Sequence, residues 1–474
     1  MNAILTMSTF IFPLITFPYI SRVLLPAGTG RVNFSTSVIS YFSMFAQLGI
    51  PTYGIRVCAK VRDNREELTR TAHELLFINL VMNLFSYVVL GITLFTVPRF
   101  IEDRILITII SLTIILTSIG MEWLYKALEQ YTYITVRSVA FKIIALLATF
   151  LLVHQKSDYV IYGGISIFAA SASNVLNLFN AHKYIGFKPI GNYNWRRHMK
   201  PVAIFFAMAC ATTVYTNLDN VMLGFMTTNI DVGFYGAAVK IKNILVSIVT
   251  SLGTVLLPRA SYYVEHGEMD SFRRITRKAL NFVFLLATPL SLYFILFARQ
   301  GIYLLSGSAY EGSIAPMQVI MPTLLLIGVT NVLGIQILVP TGREKVVLYS
   351  EIAGAIVDVI INALLIPSMK STGAAIGTLV AEAVVLIVQY YALRKEIGET
   401  VRRIHYGRIC LAIALGTAGS LWVSWLGLGN FITLVISAIL FFGIYGGYLL
   451  LRKEEQVIEI GDQVVGLVRK ALHK

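Results

Sequence analysis

Charge is scarce in this sequence. Only 14% of its 474 residues are Asp, Glu, Lys or Arg, against about 25% in an ordinary soluble domain. With 56% hydrophobic residues and a mean hydropathy of +0.73, that shortage excludes a water-soluble globular chain. Cysteine is scarcer still. Cys58, Cys210 and Cys410 lie far apart, which excludes a metal-type spacing and leaves them as apolar packing residues. No Walker-type Gly-Lys-Ser/Thr loop occurs, so direct ATP hydrolysis is excluded as an energy source. Gly28-Thr-Gly30 lacks the third glycine and the preceding strand of a dinucleotide fingerprint, and reads as a tight outward-facing loop. The seven histidines contain no i, i+4 pair, no catalytic constellation is visible, and the chain is read as a non-enzyme without cofactor. The longest connections, 56–73, 182–199, 258–278 and 394–405, leave no room for a soluble catalytic domain. No Ala-x-Ala type cleavage site follows the first apolar run, which is therefore read as a retained helix.

What is abundant is apolar sequence in runs of roughly 20 residues, the length a helix needs to cross the hydrocarbon of a bilayer. Such runs fall near 2–24, 33–55, 74–97, 105–124, 133–153, 159–181, 200–226, 232–257, 279–298, 314–338, 347–367, 371–393, 406–426 and 430–451. The expectation is an all-α integral membrane protein with about fourteen transmembrane helices. Of the 39 Lys and Arg residues, 29 fall to the loops of one side and the C-terminal tail, seven to the other side, and Lys142, Lys240 and Lys242 to the spans. The positive-inside rule then places both termini in the cytoplasm. Basic residues dispersed in this way report topology and exclude a nucleic-acid surface.

A weak internal echo joins Arg22-Val-Leu-Leu-Pro-Ala-Gly-Thr-Gly-Arg-Val-Asn-Phe34 to Asn220-Val-Met-Leu-Gly-Phe-Met-Thr-Thr-Asn-Ile-Asp-Val-Gly-Phe-Tyr235. A second pairs Trp123–Val153 with Leu338–Pro367. Both relate spans 1–6 to spans 7–12 in the same orientation, which is the mark of a parallel repeat. The expected organisation is a first six-helix lobe over 1–198, a second over 199–395, two additional helices over 396–451 and a cytoplasmic tail over 452–474. Val457, Ile460, Val464, Val468 and Leu472 give that tail the spacing of an amphipathic helix on the inner membrane surface.

Ionisable groups at membrane depth are costly unless they face water or a partner, so each is a functional candidate. Lys142, Asp219, Lys240, Lys242, Asp358 and Glu382 lie within spans, and Arg22 and Arg56 near their ends can reach inward. Lys240 and Lys242 stand about 200° apart on a helix and cannot share one cavity; Lys240 is the favoured cavity-facing member. Asp219 can neutralise a lysine or titrate in ion coupling. Lys142 and Asp358 hold corresponding repeat positions and could pair across the lobe interface. The balance at depth is basic, which suits an anionic substrate. Arg31 reads as an outward-facing loop charge. Pro13, Pro18, Pro51, Pro289, Pro316 and Pro322 are placed to kink spans.

Five phrases together resemble a known family: Pro13-Leu-Ile-Thr-Phe-Pro-Tyr-Ile-Ser-Arg-Val-Leu, Leu48-Gly-Ile-Pro-Thr-Tyr-Gly-Ile-Arg, Glu122-Trp-Leu-Tyr-Lys-Ala-Leu-Glu-Gln-Tyr, Leu218-Asp-Asn-Val-Met-Leu-Gly and Gly233-Phe-Tyr-Gly-Ala-Ala-Val-Lys-Ile. They are similar to those of Wzx-type oligosaccharide flippases in the multidrug/oligosaccharidyl-lipid/polysaccharide exporter superfamily. The resemblance implies a MATE-like fold in the bacterial inner membrane. It implies movement of undecaprenyl-pyrophosphate-linked oligosaccharide to the periplasmic leaflet for O-antigen or capsule, by alternating access through a basic central cavity. Under it, Arg22, Arg56, Lys240 and Lys142 are candidates to hold the diphosphate. Asp219 and Asp358 are candidates for ion coupling or charge pairing, with a proton or sodium gradient as the driving force. The implied partners are the lipid-linked oligosaccharide, the bilayer, and a polymerase and chain-length regulator in the same membrane. Two rivals are weighed: a multidrug or cation exporter, which would show an acidic cavity, and a polysaccharide polymerase or ligase, which would need a sizeable outward loop.

Overall fold

The computed structural model describes residues 2–402, 404–454 and 456–458, and every regular element among them is a helix. Within hydrocarbon there is no water to satisfy a free N–H or C=O, so apolar runs of this length must bond their own backbone. The first element, α1 (Asn2–Gln47), carries the first expected span and most of the second. A break separates them where a loop was expected: Leu25 takes φ 57 and ψ 176, because Pro26 disfavours the α conformation at the residue before it. Gly28-Thr-Gly30 and Arg31 are therefore helical, which corrects the loop reading of both. Leu48 and Gly49 then adopt φ of 48° and 70°, and α2 (Ile50–Lys60) begins. Pro51, expected as a kink inside a span, stands instead in the first turn of this new helix, where its missing N–H had no partner to lose.

Next comes α3 (Arg65–Thr96), whose cap Asn64 accepts the backbone N–H groups of Glu66 and Glu67 at 3.1 Å each. Both acids also sit in the positive first turn of the helix. It is followed by α4 (Pro98–Glu102), α5 (Arg104–Gly120), α6 (Glu122–Ala127), α7 (Tyr131–Leu152), α8 (Tyr159–Ile167), α9 (Asn174–Asn180), α10 (Arg196–Met226) and α11 (Asn229–Glu265). The chain divides into two compact units, one of Met1–Gly236 with Ile366–Ser371 and one of Ala237–Leu365 with Thr372–Lys474. In the first unit α1 and α10 run antiparallel. Phe34 meets Phe225, Tyr41 Oη donates to the Val214 carbonyl at 3.5 Å, and Phe45 meets Phe206. A buried cluster of Ile50, Cys58, Leu68, Leu75, Trp123, Leu124 and Val202 fastens α2, α3, α6 and α10 together. Of the three cysteines only Cys58 is buried; Cys210 is half-buried and Cys410 exposed, so core packing holds for the first alone.

The second unit contains α12 (Met269–Leu296), α13 (Ala298–Leu305), α14 (Ile314–Ile320), α15 (Thr323–Asn331), α16 (Glu344–Arg402), α17 (Tyr406–Ser420) and α18 (Asn430–Leu451). The helical stretches on either side of Pro322 are bent by 46°, as expected where a proline removes a backbone donor. α16 carries both the eleventh and the twelfth expected spans across a break at Lys370 (φ 52, ψ −128). Tyr293, Phe297 and Phe441 form an aromatic core against α18, with Tyr293 Oη donating to the Leu434 carbonyl at 2.8 Å. Arg343 clamps Glu396 through two bonds of 2.7 and 2.8 Å.

Among the described residues nine helices are long and apolar enough to cross a membrane, ten if the bent pair is one span. Large apolar side chains such as Leu84, Phe95, Leu151 and Ile439 are 67–72% exposed, a surface that only a lipid environment covers for a chain so rich in apolar residues. The chain is an all-α integral membrane protein. The expected tail helix from Val457 to Leu472 falls outside the described residues except at its first two positions.

Candidate functional site

Between α1 and α10, inside the first unit, lies a cavity of about 600 Å³. Residues of α1 recurring three or four positions apart, Thr36, Ser40, Ser43 and Gln47, bring their polar groups to one wall, as the helical period requires. Thr113 of α5, Ser166 of α8, and Thr213 and Asn217 of α10 supply the facing polar groups, with Ile39, Met44, Ile110 and Ile167 between them. Among the described residues the wall holds no charged side chain. Behind it a buried amide network sets Gln47: its Nε2 donates to Ser118 Oγ at 3.1 Å, and Asn83 Nδ2 donates to the same oxygen at 2.7 Å. Asn79 Nδ2 bonds the backbone carbonyls of Ala46 and Gln47 at 3.0 and 3.3 Å.

At one end of this cavity α10 is tied to α3 by charge. The Glu74 carboxylate, with no exposed side-chain surface, accepts from Arg197 Nε at 2.9 Å, from His198 Nε2 at 2.7 Å and from the Asn194 N–H at 2.6 Å. Tyr53 of α2 reaches His198 from the other side, Oη to Nδ1 at 2.8 Å, and packs at a tilt against Phe205. These bonded partners are separated by up to 145 positions in the chain. Three hydrogen bonds thereby reach the carboxylate, which offsets the cost of burying a charge.

The other end closes by shape. A Cβ on Gly30 would overlap the Asn229 carbonyl oxygen, a Cβ on Gly233 would overlap the Pro26 carbonyl, and Gly224 backs onto the Phe34 ring. Phe34 packs between Phe100 and Phe225. Arg99 reaches across to neutral acceptors, the Gly224 carbonyl at 2.8 Å and the Asn229 side chain. Two carboxylates stand at this end, Asp103 at 2.9 Å from Arg31 and 3.7 Å from Arg99, and Glu102 at 2.6 Å from Arg99. Arg31 is thus an ion-pair partner that also bonds Tyr159 Oη at 3.1 Å. The two stretches that echo each other in sequence are the two that meet here.

The model of the polysaccharide biosynthesis protein family matches residues 1–264, more than half of the chain. The chain belongs to this family. A second model, MatE, matches residues 204–364. Two curated relatives carry the name "Putative O-antigen transporter". That of Escherichia coli K12 is 25% identical over 83% of this chain and 95% of its own length. That of Shigella dysenteriae is 22% identical over 82% of this chain and 97% of its own. The fold is similar to that of the lipid II flippase MurJ in its inward closed conformation, with a TM-score of 0.56, 14% identity, and coverage of 93% of this chain and 98% of the other. The resemblance read from the five phrases is borne out at the level of family and superfamily.

In this polysaccharide biosynthesis protein the six expected site residues are dispersed, and none lines the cavity. Arg22, exposed, donates to the Pro18 carbonyl of its own helix at 2.6 Å. It lies four residues before Pro26, at the close-packed end. Arg56, also exposed, lies three residues past Tyr53, at the charged end. Lys142 is half-buried on α7 and Lys240 on α11; Asp219 and Asp358 are buried. Asp219 accepts from Tyr235 Oη, and Asp358 from Asn362 Nδ2 at 3.2 Å. Sequence reasoning missed the Glu74–Arg197–His198 group, because its members were read as loop and helix-end residues. It also missed Arg137, which lies in α7 with 3% of its side chain exposed. Arg137 donates to Ser173 Oγ at 3.1 Å and Asn174 Oδ1 at 2.9 Å, and pairs with Glu122 at 3.3 Å. The available signal was an arginine inside an apolar helix with a glutamate fifteen residues earlier.

Proposed function

We propose that this chain is a flippase that moves a lipid-linked oligosaccharide from the cytoplasmic to the periplasmic leaflet of the bacterial inner membrane, for surface polysaccharide assembly. The observation that carries this reading is a polar cavity held among apolar helices, in a member of the polysaccharide biosynthesis protein family. A glycan head group cannot cross hydrocarbon unaided, since each unbonded hydroxyl would cost several kcal/mol, roughly 4–8 by transfer to an alkane. A polar path between helices removes that cost while the polyprenyl chain stays in lipid. The two relatives named as O-antigen transporters support the same class of cargo. Under this proposal two six-helix lobes, 1–198 and 199–395, alternate access with both termini cytoplasmic, and the undecaprenyl diphosphate is met by Arg22, Arg56, Lys240 and Lys142. Asp219 and Asp358 couple the cycle to a proton or sodium gradient.

The MatE match raises the rival of a cation exporter, but the cavity wall carries no carboxylate to attract a cationic drug. Deletion of the gene, followed by analysis of the lipid-linked oligosaccharides retained on the inner leaflet, tests the function. Accumulation of one undecaprenyl-linked species with loss of surface polysaccharide is the expected result, and an unchanged lipid-linked pool sinks it. Neutralising Arg22, Arg56 and Lys240 together tests the diphosphate assignment. Unchanged polysaccharide at normal protein level removes that part alone.

A further inference from the structure

Every polar side chain on the cavity wall is a hydroxyl or an amide. Ser43 and Gln47 face Thr113, Ser166, Thr213 and Asn217, without a Lys, Arg, His, Asp or Glu among the lining residues. A diphosphate offers only acceptors and negative charge, and away from water it needs cations or an array of N–H donors. Hydroxyls and primary amides both donate and accept. A sugar ring presents several hydroxyls of the same dual character and matches such a wall group by group. The volume of about 600 Å³ falls within the roughly 300–1,000 Å³ of small-ligand sites.

Two details show the wall prepared for a polar guest. Thr113 lines the wall, and its Oγ1 is turned out of reach of the cavity with no hydrogen-bond partner among the described residues, a costly state that a turn of the side chain toward a guest hydroxyl would relieve. On α10, Asn217 Nδ2 donates to the Thr213 carbonyl at 3.1 Å and to Thr216 Oγ1 at 3.0 Å, which engages both of its N–H groups and leaves its oxygen to accept. Across from it, Gln47 is held in one orientation by Ser118.

We propose that this cavity is a neutral-saccharide subsite, which receives uncharged sugar rings of the lipid-linked substrate while the diphosphate is held elsewhere. The assignment rests on the transport reading above and adds to it where the glycan is recognised. Specificity then comes from hydroxyl pattern, since a lost hydroxyl contact leaves a buried group unpaired.

The test uses purified full-length protein and two probes, a polyprenyl diphosphate carrying one neutral N-acetylhexosamine and the bare polyprenyl diphosphate. The unaltered protein binds the sugar-bearing probe about tenfold more tightly, the gain of one to two net hydrogen bonds. Thr113→Val and, separately, Thr213→Val each weaken that probe by about three- to tenfold and leave the bare probe unchanged, which also shows that the variants fold. Equal loss for both probes, or no loss in either variant, overturns the subsite. If the unaltered protein still carries the sugar-bearing probe across a proteoliposome, that result leaves the transport reading intact. Carriage of neither probe overturns both.

Discussion

The two ends of the α1–α10 seam are closed by different physics. At the Glu74 end the contact that crosses to α10 is ionic: a buried carboxylate on α3 meets a guanidinium and an imidazole at the start of α10. At the Gly30 end the crossing contacts are neutral, with backbone laid against backbone at Gly30 and Gly233 and with Arg99, itself paired with Glu102 at 2.6 Å, reaching a carbonyl and an amide. Carboxylates are present there too, but Asp103 pairs with Arg31 and Arg99, and Glu102 with Arg99, rather than with a charged group of α10. One end can be released by removing charge and the other only by adding volume.

The largest effect is expected from Glu74→Gln. It leaves the Arg197 guanidinium facing an amide that cannot balance its charge, and breaking a buried pair costs roughly 3–5 kcal/mol. Arg197 is 37% exposed and partly screened, so about 2–3 kcal/mol of thermal stability in detergent is the expected loss. A shift equal to that of an exposed Glu66→Gln control would remove the ionic description of this end. Next comes Gly233→Ala. The added methyl meets the Pro26 carbonyl, and overpacking of this kind costs about 1–3 kcal/mol. Its cost should be insensitive to salt, whereas the Glu74→Gln cost should shrink as salt screens the Arg197 pair; parallel salt dependence in the two variants would erase the distinction.

The smallest effect concerns pH at the neutral end. Burial is the main influence on Asp103, in the connection between α4 and α5 outside the spans, and raises its carboxyl above the ordinary value while Arg31 and Arg99 pull it down. With the folded-state value above the unfolded one, its contribution is fully present below the unfolded pKa and is lost as pH rises through the folded pKa. Asp103→Asn should therefore flatten the gain in stability on acidification without altering the Glu74 end. Unfolding midpoints compared between neutral and mildly acid pH give the answer, and an unchanged slope would exclude Asp103 as its source.

Much of the architecture was legible because lipid leaves the backbone few choices. Apolar runs became helices, and Pro322 marked a bend that the structure contains. Proline was less informative about kind: Pro26 breaks α1 at Leu25, while Pro51 starts a helix. Both effects are local, yet which one occurs depends on the neighbours that hold the next turn. Side-chain partners across the fold were not legible. Glu74 and His198 stand 124 positions apart, and nothing in either local pattern names the other. Arg31 read as a loop charge because Gly-Thr-Gly suggests a turn; tight packing against Asn229 is a second reason for glycine that a single sequence does not distinguish. The neutrality of the cavity was hidden for a related reason. The basic residues were countable, but the face of the helix each one occupies depends on breaks such as Leu25 and Leu48, each of which resets the helical phase.

The meeting of the two echoing stretches has a consequence of its own. Pro26 lies against Gly233, and Gly224 lies against Phe34; Pro26 and Gly224 occupy the same place in their respective stretches. The early part of each stretch is therefore laid against the late part of the other, in the reciprocal sense of a homodimer's two-fold interface, here enclosed within one chain. Such a seam has no single owner. A side chain that grows in one stretch must find its room in the other, so the two segments are constrained as a pair.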